Sequence, residues 1–341
     1  MSKKAVLLLN LGSPDSTTVR DVRRYLKEFL TDPRVIDSPF RSLIVNLFIL
    51  PFRPRRTAKA YQKIWRPEGS PLIVISNQQK ESVKKKVGLP VALAMRYGHP
   101  TIADVIAKLI EKKVDDIYVM PLYPQYAMSS YETVSVKVKE EIKRYDGNIR
   151  TTLLAPFYND PDYIDALIQN ANPYLKKDYD KIIFSFHGLP ERHIRKSDPS
   201  NSHCLNTPNC CMQSSPAHST CYRHQCFKTV ELFVEHTNIP IDKYCLTFQS
   251  RLGRDPWLQP FTDETIKQLA KTGVKKILIL CPAFVADCLE TLEEIAIEGK
   301  KLFLESGGED LEMIPCLNDH PAFINFLVKK INDWSKKDER R

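Results

Sequence analysis

Two strand-to-loop junctions concentrate the groups able to do chemistry. In the first, the apolar run Lys181–Phe186 ends on His187 and is stopped at once by Gly188 and Pro190. In the second, the run Lys276–Cys281 leads into a helical segment whose carboxylates recur every fourth residue, at Glu290, Glu294 and Glu298. At 3.6 residues per turn such a series keeps to one face of an α-helix and drifts slowly around it. Like charges so spaced repel, by a few tenths of a kcal/mol per pair in an isolated helix, so helix stability does not account for the ladder. A solvated helix face is the ordinary reading of such a run. Its place beyond the carboxyl end of a strand, where open α/β sheets hold ligands, favours a path for cations or protons toward a histidine.

The elements that must position these groups alternate as strand and helix, the pattern of a parallel α/β fold. Apolar β-runs fall at 5–11, 91–95, 117–122, 151–155, 182–187, 244–249, 277–281 and, weakly, 312–316. Helical patterns fall between them, at 19–30, 101–112, 163–176 and 263–271. There is also an internal echo: AVLLLNLGSP in the first half matches KIIFSFHGLP in the second, and DDIYVMPLYPQ matches KKILILCPAFV. The echo predicts two similar Rossmann-like, doubly wound domains facing each other across a cleft. The first is expected over 1–155 and the second over 156–320, with a cysteine-rich insertion at 197–227; a C-terminal helical segment, 321–341, completes the chain.

A chain of 341 residues is about two domains' worth. Its 43% hydrophobic and 27% charged residues are those of an ordinary soluble protein, neither disordered nor membrane-spanning. A formal charge of +9 favours anionic partners, phosphate, carboxylate or an acidic lipid surface, while the absence of any nucleic-acid-binding pattern argues against DNA or RNA. The opening MSKKAVLLLNLGSP has an apolar run of only about six residues that ends in a Gly-Ser-Pro-Asp turn, so it reads as a first strand of a cytoplasmic enzyme rather than a signal peptide. Segment 38–61 breaks the α/β pattern. Its apolar stretch of about ten residues is too short to span a bilayer and runs straight into Arg53, Arg55 and Arg56. Two readings stand: a buried helix with a basic exit, or an apolar lip that touches membrane or a greasy ligand, with arginines meeting carboxylates or lipid phosphates.

Together the stretches LNLGSP, RRTAKAYQKIW, GSPL, AMRYGHP, PLYPQYAMSS, SFHGLPER, TFQSRLGRDPWLQPFTDET and CPAFVADCLETLEEI, in this order, resemble the ferrochelatase family over essentially the whole chain. The resemblance implies two similar α/β domains facing a porphyrin cleft and insertion of ferrous iron into protoporphyrin IX, the last step of haem synthesis. It implies that His187 faces the ring, taking a pyrrole proton or touching the iron, with Glu290 as its carboxylate partner at the metal. Glu294 and Glu298 then extend a solvent-connected relay for metal or protons. Oxygen and nitrogen ligands suit transient handling of ferrous iron. Leu11, Arg55, Arg56, Arg96, Tyr97 and Tyr123 are implied at the porphyrin face or its propionates. Arg251 and Trp257 are expected to hold the second domain together, and Asp287 to be a structural acid. One departure is visible: Cys288 stands where several relatives place a histidine, which puts more weight on His187 and Glu290.

Five of the nine cysteines, Cys204, Cys210, Cys211, Cys221 and Cys226, fall in one short segment. In a cytosolic chain such clustering argues for metal ligation over disulfides. A structural zinc site completed by His203, His218 or His224, and unliganded thiols, both remain open. Resemblance to bacterial members with an internal cysteine region implies a [2Fe–2S] cluster, held by Cys204, Cys211, Cys221 and Cys226 with Cys210 as the alternative to Cys211. The C-terminal arrangement known in eukaryotic members does not apply, because Met128 stands where it needs a cysteine and the tail has none. Two other functions are weighed against protoporphyrin insertion: a ferrochelatase for coproporphyrin III, and a non-catalytic haem or iron–sulfur sensor. The apolar run 43–50 leans toward the greasier porphyrin and toward peripheral association with the inner face of the cell membrane; the sequence sets no oligomeric state.

Overall fold

The computed structural model describes residues 3–145, 149–253 and 255–337. The chain forms two compact units. One is built from the residues up to Tyr123, Met128–Ala155 and the chain from Ile324 on; the other from Pro124–Ala127 and Pro156–Phe323.

In the first unit β1 (Lys4–Gly12), β2 (Val91–Tyr97), β3 (Asp116–Pro121) and β4 (Arg150–Leu153) form one parallel sheet in the order β2-β1-β3-β4. The second repeats the plan with β5 (Lys181–His187), β6 (Tyr244–Gln249), β7 (Lys276–Leu280) and β8 (Asp310–Met313), in the order β6-β5-β7-β8. Parallel neighbours cannot be joined by a tight turn, so helical crossovers cover both faces and the central strands are apolar throughout. Ala5–Leu9 of β1 and Ile182–Phe184 of β5 are accordingly fully buried. Helix starts are set by side chains that satisfy the free N–H groups of the first turn: Thr18 accepts from the Asp21 N–H, Thr101 from Asp104 and Asp160 from Asp162.

The C-terminal helix, Pro321–Lys337, is packed into the first unit from Ile324 on. Trp334 stacks on Tyr118 with centroids 5.0 Å apart, and the Lys4 ammonium donates to the Ser335 carbonyl at 2.7 Å. Residues 338–341 of the expected C-terminal segment lie outside the described residues. β8 begins two residues earlier than the apolar run suggested, because Leu311 supplies its buried position.

Two segments differ in kind from the expectation. The acidic ladder is α-helical only over Leu289–Thr291; Leu292–Gly299 is wound as a π-helix before α-helix resumes at Lys300. Bonds from i to i+5 bring the repeat close to four residues per turn, so side chains at i, i+4 and i+8 line up more nearly in a row than on an α-helix. In segment 38–61, Arg41–Ile44 and the π-wound Val45–Ile49 carry an exposed apolar surface: Phe40, Leu43, Leu47, Phe48 and Phe52 are each more than half exposed, while Val45 and Leu50 anchor it from below. Among the described residues no helix is long and apolar enough to cross a membrane.

Candidate functional site

His187 closes β5. Its Nδ1 lies 2.7 Å from the Gly188 carbonyl. A carbonyl can only accept, so Nδ1 carries a hydrogen and donates it there, which fixes the ring's orientation with Nε2 on the far side. The backbone carbonyl of His187 accepts from the Tyr222 hydroxyl at 2.9 Å, which ties the strand end to the first residue of the helix Tyr222–Thr237. Gly188 is required by close approach: a Cβ there would meet the Gln249 carbonyl at 2.7 Å and the Trp257 ring at 3.3 Å.

In the strand register His187 sits opposite Gln249, the last residue of β6. Gln249 is buried and fully engaged. Its Oε1 accepts from the Ser185 hydroxyl at 2.7 Å, while its Nε2 donates to the Glu290 carbonyl at 2.7 Å and to the Glu294 carboxylate at 3.3 Å. Ser250 also donates to Glu294. Burial pushes the Glu294 carboxyl above the usual carboxylate range, against the Ser250 hydroxyl and the charge of His187, and Glu290 adds to the rise. Three of the expected site groups, His187, Glu290 and Glu294, are thus brought together, and Glu298 continues the row at the exposed end of the π-helix.

Cys288 is buried against the Glu290 carboxylate, and burial with that charge raises its thiol far out of the range in which it ionises. Asp287 is structural: it accepts from Thr291, from the Cys316 N–H and from Asn318, pinning the loop after β7 to the loop after β8. Trp257 donates to the Leu252 carbonyl and Arg251 pairs with Asp263 and Glu264, all within the second unit.

The groups expected at the porphyrin lie in the first unit. Leu11 is half-buried near the end of β1, and Arg55 and Arg56 are exposed on the helix Arg53–Ile64 behind the apolar surface. Arg96 bonds Thr133 at 2.8 Å and pairs with Asp32, its guanidinium 4.5 Å from the Tyr97 ring centroid. Burial works to raise Asp32, but Thr133, the Arg34 N–H, Arg96 and Tyr97 outweigh it and hold the carboxyl below its ordinary range. Tyr97 is fully buried with its hydroxyl on Asp32 at 3.0 Å, so it supports Arg96 and presents no face of its own. Tyr123 is buried with an unpaired hydroxyl.

The cysteine segment has its own grouping. Cys221 caps the helix Tyr222–Thr237, accepting from the His224 N–H at 3.5 Å, and its sulfur is in contact with the thiols of Cys211 and Cys204. The Cys211 thiol, with smaller help from His224 and Cys204, lowers Cys221 to about 6 despite burial. One Arg223 nitrogen lies 3.5 Å from the Cys211 sulfur and 3.7 Å from that of Cys210. Cys226 is fully buried with its thiol on Tyr222, and burial and the nearby Cys221 push it up. All five cysteines of the segment are buried, and Cys210 and Cys211 both lie beside Arg223. Among the described residues no group of three or more His, Cys, Asp or Glu side chains is arranged to close on a metal ion.

Gln249, Ser250, Tyr222 and Asp32 were not singled out from sequence. Gln249 and Ser250 lie inside a stretch whose arginine and tryptophan drew the attention; their position at the end of the strand beside His187 is the signal that finds them.

The family model described as Ferrochelatase matches residues 3–334. A ferrochelatase of Opitutus terrae is 48% identical over the full length of both chains, and one of Pseudomonas fluorescens 49% identical over 96% of this chain and 97% of its own. Among solved structures, SirB from Bacillus subtilis with Fe3+ covers 100% of this chain and 98% of its own with a TM-score of 0.57, but at 14% identity it speaks to the fold alone. Two sheets of one topology, a histidine and an acid row at the ends of the second, and this extent of likeness lead to one conclusion: the chain belongs to the ferrochelatase family.

Proposed function

We propose that the protein inserts ferrous iron into protoporphyrin IX to form protohaem. The observation that carries this reading is the junction of His187 with Glu290 and Glu294: an imidazole held through Nδ1 stands beside a carboxylate that is held by directed hydrogen bonds. Metallation removes two pyrrole protons and replaces the water shell of the ion with four ring nitrogens, with no change of oxidation state. His187 takes a pyrrole proton at Nε2, its ring held by the Gly188 carbonyl, and Glu290 stands with it at the metal. Glu294 and Glu298 continue the row outward, and their oxygens exchange with the hydration shell of a ferrous ion more readily than thiolates do. In the first unit Leu11 and Tyr123 supply apolar contact for the macrocycle, Arg55 and Arg56 its propionate partners, and Tyr97 acts through Arg96.

The thiols of Cys204, Cys210, Cys211 and Cys221 with the Arg223 guanidinium beside them suit a thiolate-held group, since a nearby cation favours ionised sulfur. We take Cys204, Cys211, Cys221 and Cys226, with Cys210 as the alternative to Cys211, as the ligand set for a [2Fe–2S] cluster, which when bound would brace the segment and add a one-electron centre. Protein purified without oxygen should then show sulfide-to-iron visible bands, absent in Cys221→Ser. A colourless, zinc-containing preparation would refute the cluster. The exposed Phe40, Leu43, Leu47, Phe48 and Phe52 with Arg55 and Arg56 suit peripheral membrane contact, and Phe48→Asp should weaken co-flotation with anionic vesicles.

The deciding experiment is anaerobic ferrous insertion followed by loss of porphyrin fluorescence, with native protein and His187→Ala side by side on protoporphyrin IX and coproporphyrin III. Turnover of protoporphyrin that collapses in the variant supports the proposal. Preference for coproporphyrin, or tight binding without turnover, overturns it.

A further inference from the structure

Behind the acid row lies a buried chain of polar groups that insertion chemistry alone does not require. Thr247 and Thr262 are 2.8 Å apart, Thr262 and Ser185 2.9 Å, and Ser185 donates to Gln249. Because the Ser185 hydroxyl occupies Oε1, the amide of Gln249 is locked with Nε2 toward the acid row, where it reaches the Glu290 carbonyl and the Glu294 carboxylate at once. Its backbone carbonyl accepts from the Gly188 N–H at 2.6 Å, so the same residue is tied to the histidine. Ser250 then adopts a φ of +64°, a conformation that disfavours side chains other than those of Gly, Asn and Asp, and in it the hydroxyl donates to Glu294. A strained backbone kept at a hydrogen bond to one carboxylate is a placement with a use.

We propose that Gln249 and Ser250 are positioning residues that hold the Glu294 carboxylate, and through the Glu290 carbonyl the start of the acid row, in place to receive the ferrous ion. Neither touches the reacting atoms; they act on the carboxylate that does. The inference rests on the functional reading above and deepens it, assigning this end of the row to the metal rather than only to protons. Around Glu294 the charged and titratable groups are His187 from β5, Glu290 from its own helix and Cys281 at the end of β7, and the two donors from β6 are the neutral groups that set its direction.

Two substitutions at one position separate positioning from fold support. Ser250→Gly removes the hydroxyl yet suits the left-handed φ, so its thermal midpoint should equal or exceed that of the native protein. Ser250→Thr keeps the hydroxyl but puts a β-branched side chain at that φ, so its midpoint should fall. Ferrous affinity is read by anaerobic calorimetry without porphyrin, and the apparent KM for ferrous iron against that for protoporphyrin IX is read in the same preparations. Ser250→Gly should weaken ferrous affinity and raise the ferrous KM by about tenfold, the usual scale for losing a hydrogen bond to a metal-binding side chain. Its porphyrin KM should stay unchanged, and Ser250→Thr should behave as native on both metal readouts. If ferrous affinity follows the thermal midpoint instead of the hydroxyl, or is native in Ser250→Gly, the inference is overturned. Calorimetry needs no turnover, so a protein that fails to metallate porphyrin sinks the functional reading while this one is still decided.

Discussion

Superposing the strand registers of the two units sets their site positions side by side. Asn10 pairs with Met95 in the first unit as Phe186 pairs with Phe248 in the second, so Leu11 is the counterpart of His187 and Arg96 of Gln249. Leu8 pairs with Met120 as Phe184 pairs with Leu280. Counting on equally from Met120 and Leu280 places Ser130, Val134 and Val138 where the second unit has Glu290, Glu294 and Glu298. Val134 and Val138 are buried core residues. One frame thus serves two purposes: at positions where one copy packs leucine and valine, the other presents imidazole and carboxylates. Both copies keep a polar side chain at the second strand end, half-buried Arg96 and buried Gln249, tied to the segment after the third strand, Arg96 to Thr133 and Gln249 to the Glu290 carbonyl. Both also wind a π-segment there, Met128–Glu132 and the longer Leu292–Gly299. The device is inherited from the frame, and what differs is the side chains mounted on it.

Giving the second unit the residues of the first tests this most severely. His187→Leu should lower kcat by about 10²–10⁴-fold, the range for removing a proton acceptor, with porphyrin binding by fluorescence quenching retained. Activity within tenfold of native would break the comparison. Glu290→Ser, copying Ser130, should fold normally and lose about a hundredfold in kcat; if circular dichroism shows it unfolded, the counterpart assignment is wrong.

A smaller effect separates the two strand-end glycines. At Gly12, with φ +106°, a Cβ would lie 1.7 Å from the Tyr97 carbonyl, against 2.7 Å from the Gln249 carbonyl at Gly188. Gly12→Ala should therefore destabilise by about 3 kcal/mol or more and Gly188→Ala by less, measured by urea unfolding. Equal losses would mean that the two turns yield alike.

The smallest effect concerns pH. Burial raises Glu294, so the folded state binds its proton more tightly than the unfolded chain does. That contribution is fully present below the ordinary glutamate value of about 4.3 and is lost as pH rises through the raised value. Glu294→Gln, which can still accept from Ser250, should raise the thermal midpoint by a few degrees at about pH 8 and by nothing at about pH 4. Val134 faces no such cost, so Val134→Thr should show no comparable pH dependence.

Much of the frame was readable in the residues. Continuous apolar runs such as Ala5–Leu9, closed by a turn, fit strands buried on both faces, and the helix Val19–Leu30 carries periodic Val22, Leu26 and Leu30. The acid spacing was visible too, but not its winding, because i→i+5 bonding is chosen by packing around the segment rather than by propensity. Exposure of Phe48 and Phe52 was equally undecided, since an apolar stretch of that length suits a core or a surface.

What the sequence by itself determined is the alternation of elements, the duplicated plan and the placing of His187 and of the row Glu290, Glu294 and Glu298 just beyond strand ends, because burial periodicity and motif order are local properties of the chain. Only the tertiary structure decided that Gln249 and Ser250 bond Glu290 and Glu294, that Arg96 and Tyr97 close on Asp32, and that Cys210 and Cys211 share Arg223. Those are contacts between strand ends and loops far apart in sequence, and their partners are chosen by register and burial rather than by any neighbouring residue.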